Sequence, residues 1–458
     1  MKKYIAYILS LLLMGGCLDI KLEDQYSDPD AITTTAAARE LLASAYNSLP
    51  RYQMELSILT DDFVPSDFTG KYAELQNLYN WESKAIEELS DNIWGEYYMT
   101  IAIVNALLPR METIQPKDEA DRLEKDRIRS EAKALKAMCY FDLLRIYGPV
   151  YSEENLEKEG VILKNRLELD FLPRSSVQDC VAEIEKLLSE AAGVENGGTE
   201  VFYLSTSAVM ALRAELELYR GDYEKAVLYA LPLLENAESR WTRTDYENLW
   251  ADNASADRLF APYIFNSFYR DLCYDKELGD YFVLNPLLQY VDGDVRSDWA
   301  SMMITMKGRQ VQTLGKYNRM YYDNLDVRYI NTLRYSGVCF TVAEAYARDG
   351  EDALARQTLN RFLNAYGAGP LDESLEGEGL IEEILNQKQK EFAGEGVRYF
   401  DLKRHGKPMK KYSSYGTSVS QTIQPGDYRW LLPIPQSEYK YNDKITQNNP
   451  QWPFIKTE

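Results

Sequence analysis

The sequence predicts a mostly α-helical protein: a scaffold of tetratricopeptide-type helix pairs carrying long, irregular, aromatic-rich insertions. Three observations predict it. Apolar residues recur at helical spacing through most of the chain. Two distant segments, 207–235 and 336–367, each read as helix, glycine turn, helix. Aromatic residues gather in stretches that lack either helical or strand periodicity.

The N-terminus, "MKKYIAYILSLLLMGGCLD", has two lysines, an apolar run from Tyr4 to Met14, and then Gly15-Gly16-Cys17. That is the layout of a secretory signal peptide with small residues at the cleavage point. The run is too short to span a bilayer as a stable helix. Cys17, directly after the small residues, resembles the acylated cysteine of a bacterial lipoprotein box. Its acyl chains would anchor the protein, each buried methylene contributing about 0.8 kcal/mol. The alternative is a buried or disulfide-bonded Cys17. Residues 1–16 therefore read as a signal peptide and 17–458 as a single domain. Within it, a helical scaffold covers about 30–235 and 326–395, a loop-rich insertion about 236–325, and a C-terminal wrapping segment about 396–458.

Residues 36–49 place Leu41, Leu42, Ala45, Tyr46 and Leu49 on one helical stripe, with threonines ahead to cap it. A second helix is predicted over 92–114, with Trp94, Tyr97, Tyr98, Ile101, Val104 and Leu108 at helical spacing. A third covers 125–148, with Ile128, Leu135, Cys139 and Ile146 on one face and Gly148-Pro149 as the stop. In the helix pairs the turns fall at Gly221-Asp222-Tyr223 and Asp349-Gly350. Ala211, Ala214, Ala226 and Ala230 sit where the first pair packs closely.

Two stretches interrupt this scaffold. Residues 60–81 separate the first two helices, and residues 241–322 hold sixteen aromatics, well above the chain's 12%. That aromatic content argues for order rather than disorder. Sugars present flat C–H faces beside hydroxyls, so a sugar site needs rings for the faces and acids or amides for the hydroxyls, on loops held by a rigid scaffold. Asp62, Asp67, Phe68, Tyr72 and Trp81 in the first stretch meet this need, and so do Tyr281, Tyr290, Trp299 and Tyr317 in the second. Trp81 and Trp299 offer the largest platforms. Core packing is the alternative for any single ring.

A net charge of −21 repels phosphate backbones and argues against nucleic-acid binding. Cys139, Cys180, Cys273 and Cys339 form no CxxC pair, and Cys139 and Cys339 fall on apolar helical positions. One histidine, His405, leaves no room for a His-rich zinc site. "DGDVRSD" (292–298) carries carboxylates outside the EF-hand order. No phosphate-cradling glycine loop is present, and no cofactor is called for. The many acids leave a paired-carboxylate glycosidase open.

Five segments in order carry a family resemblance: "CLDIKLEDQY", "EAKALKAMCYFDLLRIYGPV", "LRYSGVCFTVAEAYAR", "ILNQKQKEFAGEGVRYFDLKRHG" and "LLPIPQSEYKYNDKITQNNPQW". Together they resemble the SusD/RagB nutrient-binding outer-membrane lipoproteins. The resemblance implies a SusD-like fold, no enzymatic activity, and a glycan or other nutrient as ligand. It also implies anchoring at the outer-membrane surface through Cys17, and a SusC-like TonB-dependent transporter as partner. His405 stands where the family usually has Trp. The alternatives are a lipid-anchored glycoside hydrolase and a protein-binding helical-repeat scaffold.

In "EGVRYFDLKR", Glu395, Arg398, Asp401 and Arg404 recur every three residues. On a helical turn the acids would face the arginines in pairs, with Phe400 and Leu402 packing beneath. The motif reads as a structural lock on the last helix; the alternative is a catalytic cluster.

Overall fold

The computed structural model describes residues 32–168, 170–192, 201–263, 274–275, 279–316, 318, 329–445 and 451–452. Cys17, Cys273 and Tyr317 lie outside them, as do residues 1–16.

Helix α1 (Thr35–Asn47) starts where Thr34 accepts a hydrogen bond from the Ala37 amide at 3.2 Å. Its predicted stripe is buried throughout. A short α2 (Gln53–Ile58) leads into β1 (Phe63–Pro65) and α3 (Ala73–Tyr79). The 60–81 stretch is therefore built of short elements. Helix α4 (Ser83–Thr113) begins nine residues before the predicted start, because polar residues hide the first turns' apolar positions, Ile86 and Leu89. Helix α5 (Glu119–Tyr147) starts on an Asp118 cap and stops at Gly148, which Pro149 follows. Helix α6 (Val177–Ala191) packs along α5.

The first helical hairpin is α7 (Thr206–Arg220) and α8 (Tyr223–Ala230). Gly221 closes α7 at φ 81°, a left-handed conformation that only glycine adopts without strain. Between this hairpin and the second lie α9 (Arg243–Trp250), β2 (Arg258–Phe260), β3 (Tyr274–Asp275), β4 (Gly279–Asp280), β5 (Phe282–Leu284), α10 (Val295–Trp299), β6 (Ser301–Met306), β7 (Arg309–Leu314) and β8 (Leu333–Arg334). The insertion is thus many short elements rather than loop alone. The second hairpin, α11 (Tyr335–Arg348) and α12 (Asp352–Ala365), stacks on the first through Leu218, Ala226 and Ala345. Helices α13 (Gly377–Phe392) and α14 (Val397–Arg404), strands β9 (Met409–Tyr412) and β10 (Val419–Ile423), and α15 (Gln436–Tyr441) complete the described chain. The C-terminal wrapping segment contains α15, a helix of six residues.

Among the described residues, all strand pairs are antiparallel and two-stranded: β1 with β5, β2 with β8, β3 with β4, β6 with β7, β9 with β10. One continuous core runs from Ile32 to Trp452. Cys139, Cys180 and Cys339 are buried in it as free thiols.

Three buried lysines join helix ends across the fold. Lys403 Nζ donates to the carbonyls of Arg145 (2.6 Å) and Gly148 (3.0 Å) at the end of α5. Lys411 does the same for Ile58 (2.8 Å) and Thr60 (2.7 Å) after α2, and Lys316 for Glu391 (2.7 Å) and Ala393 (2.8 Å) after α13. A helix C-terminus is partially negative and leaves its last carbonyls unpaired, so an ammonium satisfies both needs. Burial pulls Lys403 down to about 7, and the carbonyls oppose that pull.

Candidate functional site: an aromatic face between two distant segments

Strand β1 pairs with β5 in the register Phe63↔Leu284, Val64↔Val283, Pro65↔Phe282. This pairing brings the two aromatic stretches together. Just past it, the Tyr281 carbonyl accepts from Ser66 N at 3.2 Å, from Ser66 Oγ at 3.0 Å and from the Thr69 hydroxyl. The Tyr72 and Tyr281 rings then meet at 5.4 Å, tilted by 31°.

A small second core supports this face: Val64, Phe68, Val283, Met306 and Val311, with Tyr281, Ile304, Tyr412 and Tyr415 packed around it. Phe68 is only 5% exposed, so it acts as a floor rather than a platform. The Asp67 amide donates to the Tyr415 hydroxyl at 3.3 Å. Lys307 lies 4.5 Å from the Phe68 ring centre, and the Arg309 guanidinium lies 4.3 Å from that of Tyr415. Tyr72, Tyr281, Tyr412 and Tyr415 stay half-buried, and Asp67, Lys307 and Arg309 are exposed. Rings, hydroxyls and charges thus meet at one solvent boundary.

Of the residues singled out by sequence, the structure gathers Asp67, Phe68, Tyr72 and Tyr281 here. It puts others elsewhere. Trp81 is 5% exposed, in the main core, with Nε1 donating to the Leu59 carbonyl at 2.9 Å. A ring so enclosed cannot offer a sugar platform. Asp62 is fully buried, accepting from Gln389 Nε2 at 3.2 Å; burial, with Asp61 beside it, pushes it up to about 7. Trp299 is half-buried against the main core, and Tyr290 is half-buried with its hydroxyl donating to the Lys390 carbonyl at 3.0 Å. In 292–298, Asp294 is buried in an ion pair with Arg296 and Asp298 pairs with Arg243.

Lys307, Arg309, Tyr412 and Tyr415 were missed by sequence reasoning. The signal for the first two was present: "ITMKGRQVQTL" reads as two strands around Lys307-Gly308, and a type I′ hairpin turn has positive φ at both central positions. The structure has 46° and 79° there. Nothing in the sequence placed Tyr412 or Tyr415 beside residues some 340 positions earlier.

The charged motif is wired differently from its predicted pairing. Glu395 precedes α14, in a turn between Gly394 and Gly396 at φ 82° and 77°. A Cβ on Gly396 would come within 2.9 Å of the Gln53 backbone. Glu395 therefore leaves the helix face and meets Arg334 (2.8 Å) and Lys316 (2.6 Å). Arg398 forms a bidentate pair with Asp61 at 2.8 and 3.1 Å. Asp401 pairs with Lys388 at 2.8 Å, and Arg404 with Glu344 at 2.6 Å. The one pairing inside the motif is Asp401 to Arg404, at 3.5 Å. Each charge ties α14 to a separate element. Leu402 is buried; Phe400 instead stacks on the Arg145 guanidinium at 4.2 Å. His405 donates from Nε2 to Glu344 (2.8 Å), leaving Nδ1 to accept from Arg348. A cavity of about 160 Å³ behind the motif is lined by Arg145, Asp142, Lys388 and Asp401, whose charges already pair with one another.

The comparisons with known proteins give the family. Residues 212–452 match the model of the SusD family, and residues 21–218 match a model described as starch-binding associating with outer membrane. The chain belongs to the SusD family. A SusD-like protein of Formosa agariphila is 22% identical across 94% of this chain and 96% of its own. Among solved structures, a putative sugar binding protein from Bacteroides vulgatus superposes with a TM-score of 0.77 at 22% identity, covering 92% of this chain and 99% of that one. A SusD-like carbohydrate binding protein from the same species gives 0.76 at 19% identity, covering 93% and 100%.

Proposed function

We propose that this protein is a surface lipoprotein that binds a glycan on the face formed by Tyr72, Tyr281 and Tyr415 and passes it to a TonB-dependent outer-membrane transporter of the SusC kind. The observation that carries the reading is the Tyr72–Tyr281 pair: two half-exposed rings from segments some 210 residues apart, held together by the β1–β5 pairing. Sugar C–H faces lie on the rings, while Asp67 and the tyrosine hydroxyls take sugar hydroxyls. The names of the two Bacteroides vulgatus structures point the same way. Binding without catalysis fits His405, the chain's only histidine, being held between Glu344 and Arg348.

A panel of oligosaccharides, screened by thermal shift with a reducing-sugar assay alongside, tests this. A ligand that raises the melting temperature without new reducing ends is the expected result; new reducing ends would make the protein a hydrolase. For the anchor, Cys17→Ala is expected to move the protein from the outer-membrane fraction to the soluble one or to leave the signal uncleaved. An unchanged distribution would refute lipidation at Cys17.

A further inference from the structure

The proposed binding face carries two cations that the sugar-stacking reading does not use. Lys307 and Arg309 flank Gly308 at the β6–β7 turn, each laid against a ring of the small core. Both are exposed, and among the described residues no carboxylate forms an ion pair with either. Asp67 belongs to the same cluster, but its carboxylate faces the Tyr415 hydroxyl. The chain as a whole carries −21, and many of its other cations are taken up in ion pairs. Here two remain unneutralised, side by side with the half-buried tyrosines.

Their geometry is fixed rather than floppy. Six register pairs, Ser301↔Leu314 to Met306↔Arg309, set the hairpin, and its turn holds Lys307 at φ 46°, where asparagine or glycine is the easier residue. Met306 and Val311 root it in the small core. The Lys307 ammonium itself lies over the Phe68 ring, 4.5 Å from its centre, on an exposed residue. The Arg309 guanidinium carbon lies 4.3 Å from the Tyr415 ring centre, and a guanidinium carries N–H donors suited to a planar or tetrahedral oxyanion.

We propose that the ligand of this face is an anionic glycan, bearing carboxylate or sulfate groups that Lys307 and Arg309 bind while its sugar rings lie on the tyrosines. This rests on the reading of the face as the glycan site. A neutral glycan would take only hydrogen bonds to neutral oxygens from these two donors and leave their charge unused, whereas an anionic group gains charge-assisted bonds.

The test is calorimetry on the mature chain with four probes: oligogalacturonate for carboxylate, a sulfated galactan oligosaccharide for sulfate, and neutral xylo- and malto-oligosaccharides. The variants are Lys307→Ala/Arg309→Ala, the reversal Lys307→Glu/Arg309→Glu, and Tyr72→Ala/Tyr281→Ala, each checked by melting temperature. One anionic probe is expected to bind, and which one does identifies the group. The double alanine variant should weaken it about tenfold or more, and the reversal should abolish it. Raising NaCl from about 50 to about 500 mM should weaken it as well, because exposed charges are screened. Binding of neutral probes alone, unchanged in both cation variants but lost in the tyrosine variant, would overturn the anionic ligand and keep the site. Binding unchanged in the tyrosine and the cation variants alike would overturn the site itself. Binding of none of the probes would overturn both.

Discussion

The charge network around Arg334 and the aromatic face around Tyr281 use the same residue types and reach opposite ends. Arg334 lies against Phe392 at 4.4 Å and pairs with Asp257, Glu391 and Glu395 at 3.0, 2.7 and 2.8 Å, all four charged side chains at least 97% buried. Arg309 lies against Tyr415 at 4.3 Å, in solvent, with no carboxylate ion-paired to it among the described residues. The first arrangement is closed: each charge is spent on a buried neighbour. The second is open. Burial, not composition, separates a lock from a site, because a desolvated charge must be paired inside the protein while an exposed one remains available.

The largest effect is expected at the closed end. Arg334→Ala strips Asp257 and Glu391 of their ion-pair partner, leaves Glu395 with Lys316, and should destabilise by about 3–5 kcal/mol or prevent folding. Urea unfolding would measure it, and a loss under about 1 kcal/mol would show that the network is far better hydrated than its burial implies.

Trp81→Ala comes next. Emptying so large a buried side chain should lower stability by about 3–5 kcal/mol and leave the glycan affinity of the folded fraction unchanged. Calorimetry on the variant at low temperature checks the second half; lost affinity with an intact fold would return Trp81 to the site.

A smaller effect concerns pH. Asp62 and Glu55 are each raised to about 7 by burial, from 3.8 and 4.5. Between those limits the native state holds more protons than the unfolded chain, so their contribution to stability falls as pH rises from about 4 to about 7. The melting temperature of Asp62→Asn should therefore fall less between pH 5 and pH 7.5 than that of the wild type. Equal slopes would mean that Arg398 and Gln389 already hold Asp62 ionised.

The smallest effect on stability belongs to the open end. Tyr72→Ala should change stability by less than about 1 kcal/mol yet weaken glycan binding by about 2 kcal/mol. The reverse pattern would make Tyr72 part of the frame.

How much of this was legible depends on how local the cause is. The helices of the scaffold were, because period and caps are written within a dozen residues: Thr34 and the stripe of α1, Gly148 at the end of α5, Gly221 between α7 and α8; the start of α5 at Asp118, ahead of the expected residue 125, was not. The family was legible for the same reason, in short motifs met in order. The charged motif was legible as a cluster but not as a circuit. Its spacing suggested internal pairs, whereas Glu395 turns away between two left-handed glycines and the other three find Asp61, Lys388 and Glu344.

The site divides along the same line. Composition marked residues 60–81 and 281–322 as aromatic and irregular, and Tyr72 and Tyr281 do meet. Which rings point outward was beyond sequence, since Trp81 and Tyr72 stand nine positions apart in one stretch and differ only in what packs over them. Lys307 and Arg309 needed the β6–β7 register, and Tyr415 needed the fold of the C-terminal segment against β1. The sequence by itself determined the helices, their order and the family. Only the tertiary structure decided which charges are spent and which remain open, because burial is a property of contacts between segments hundreds of residues apart.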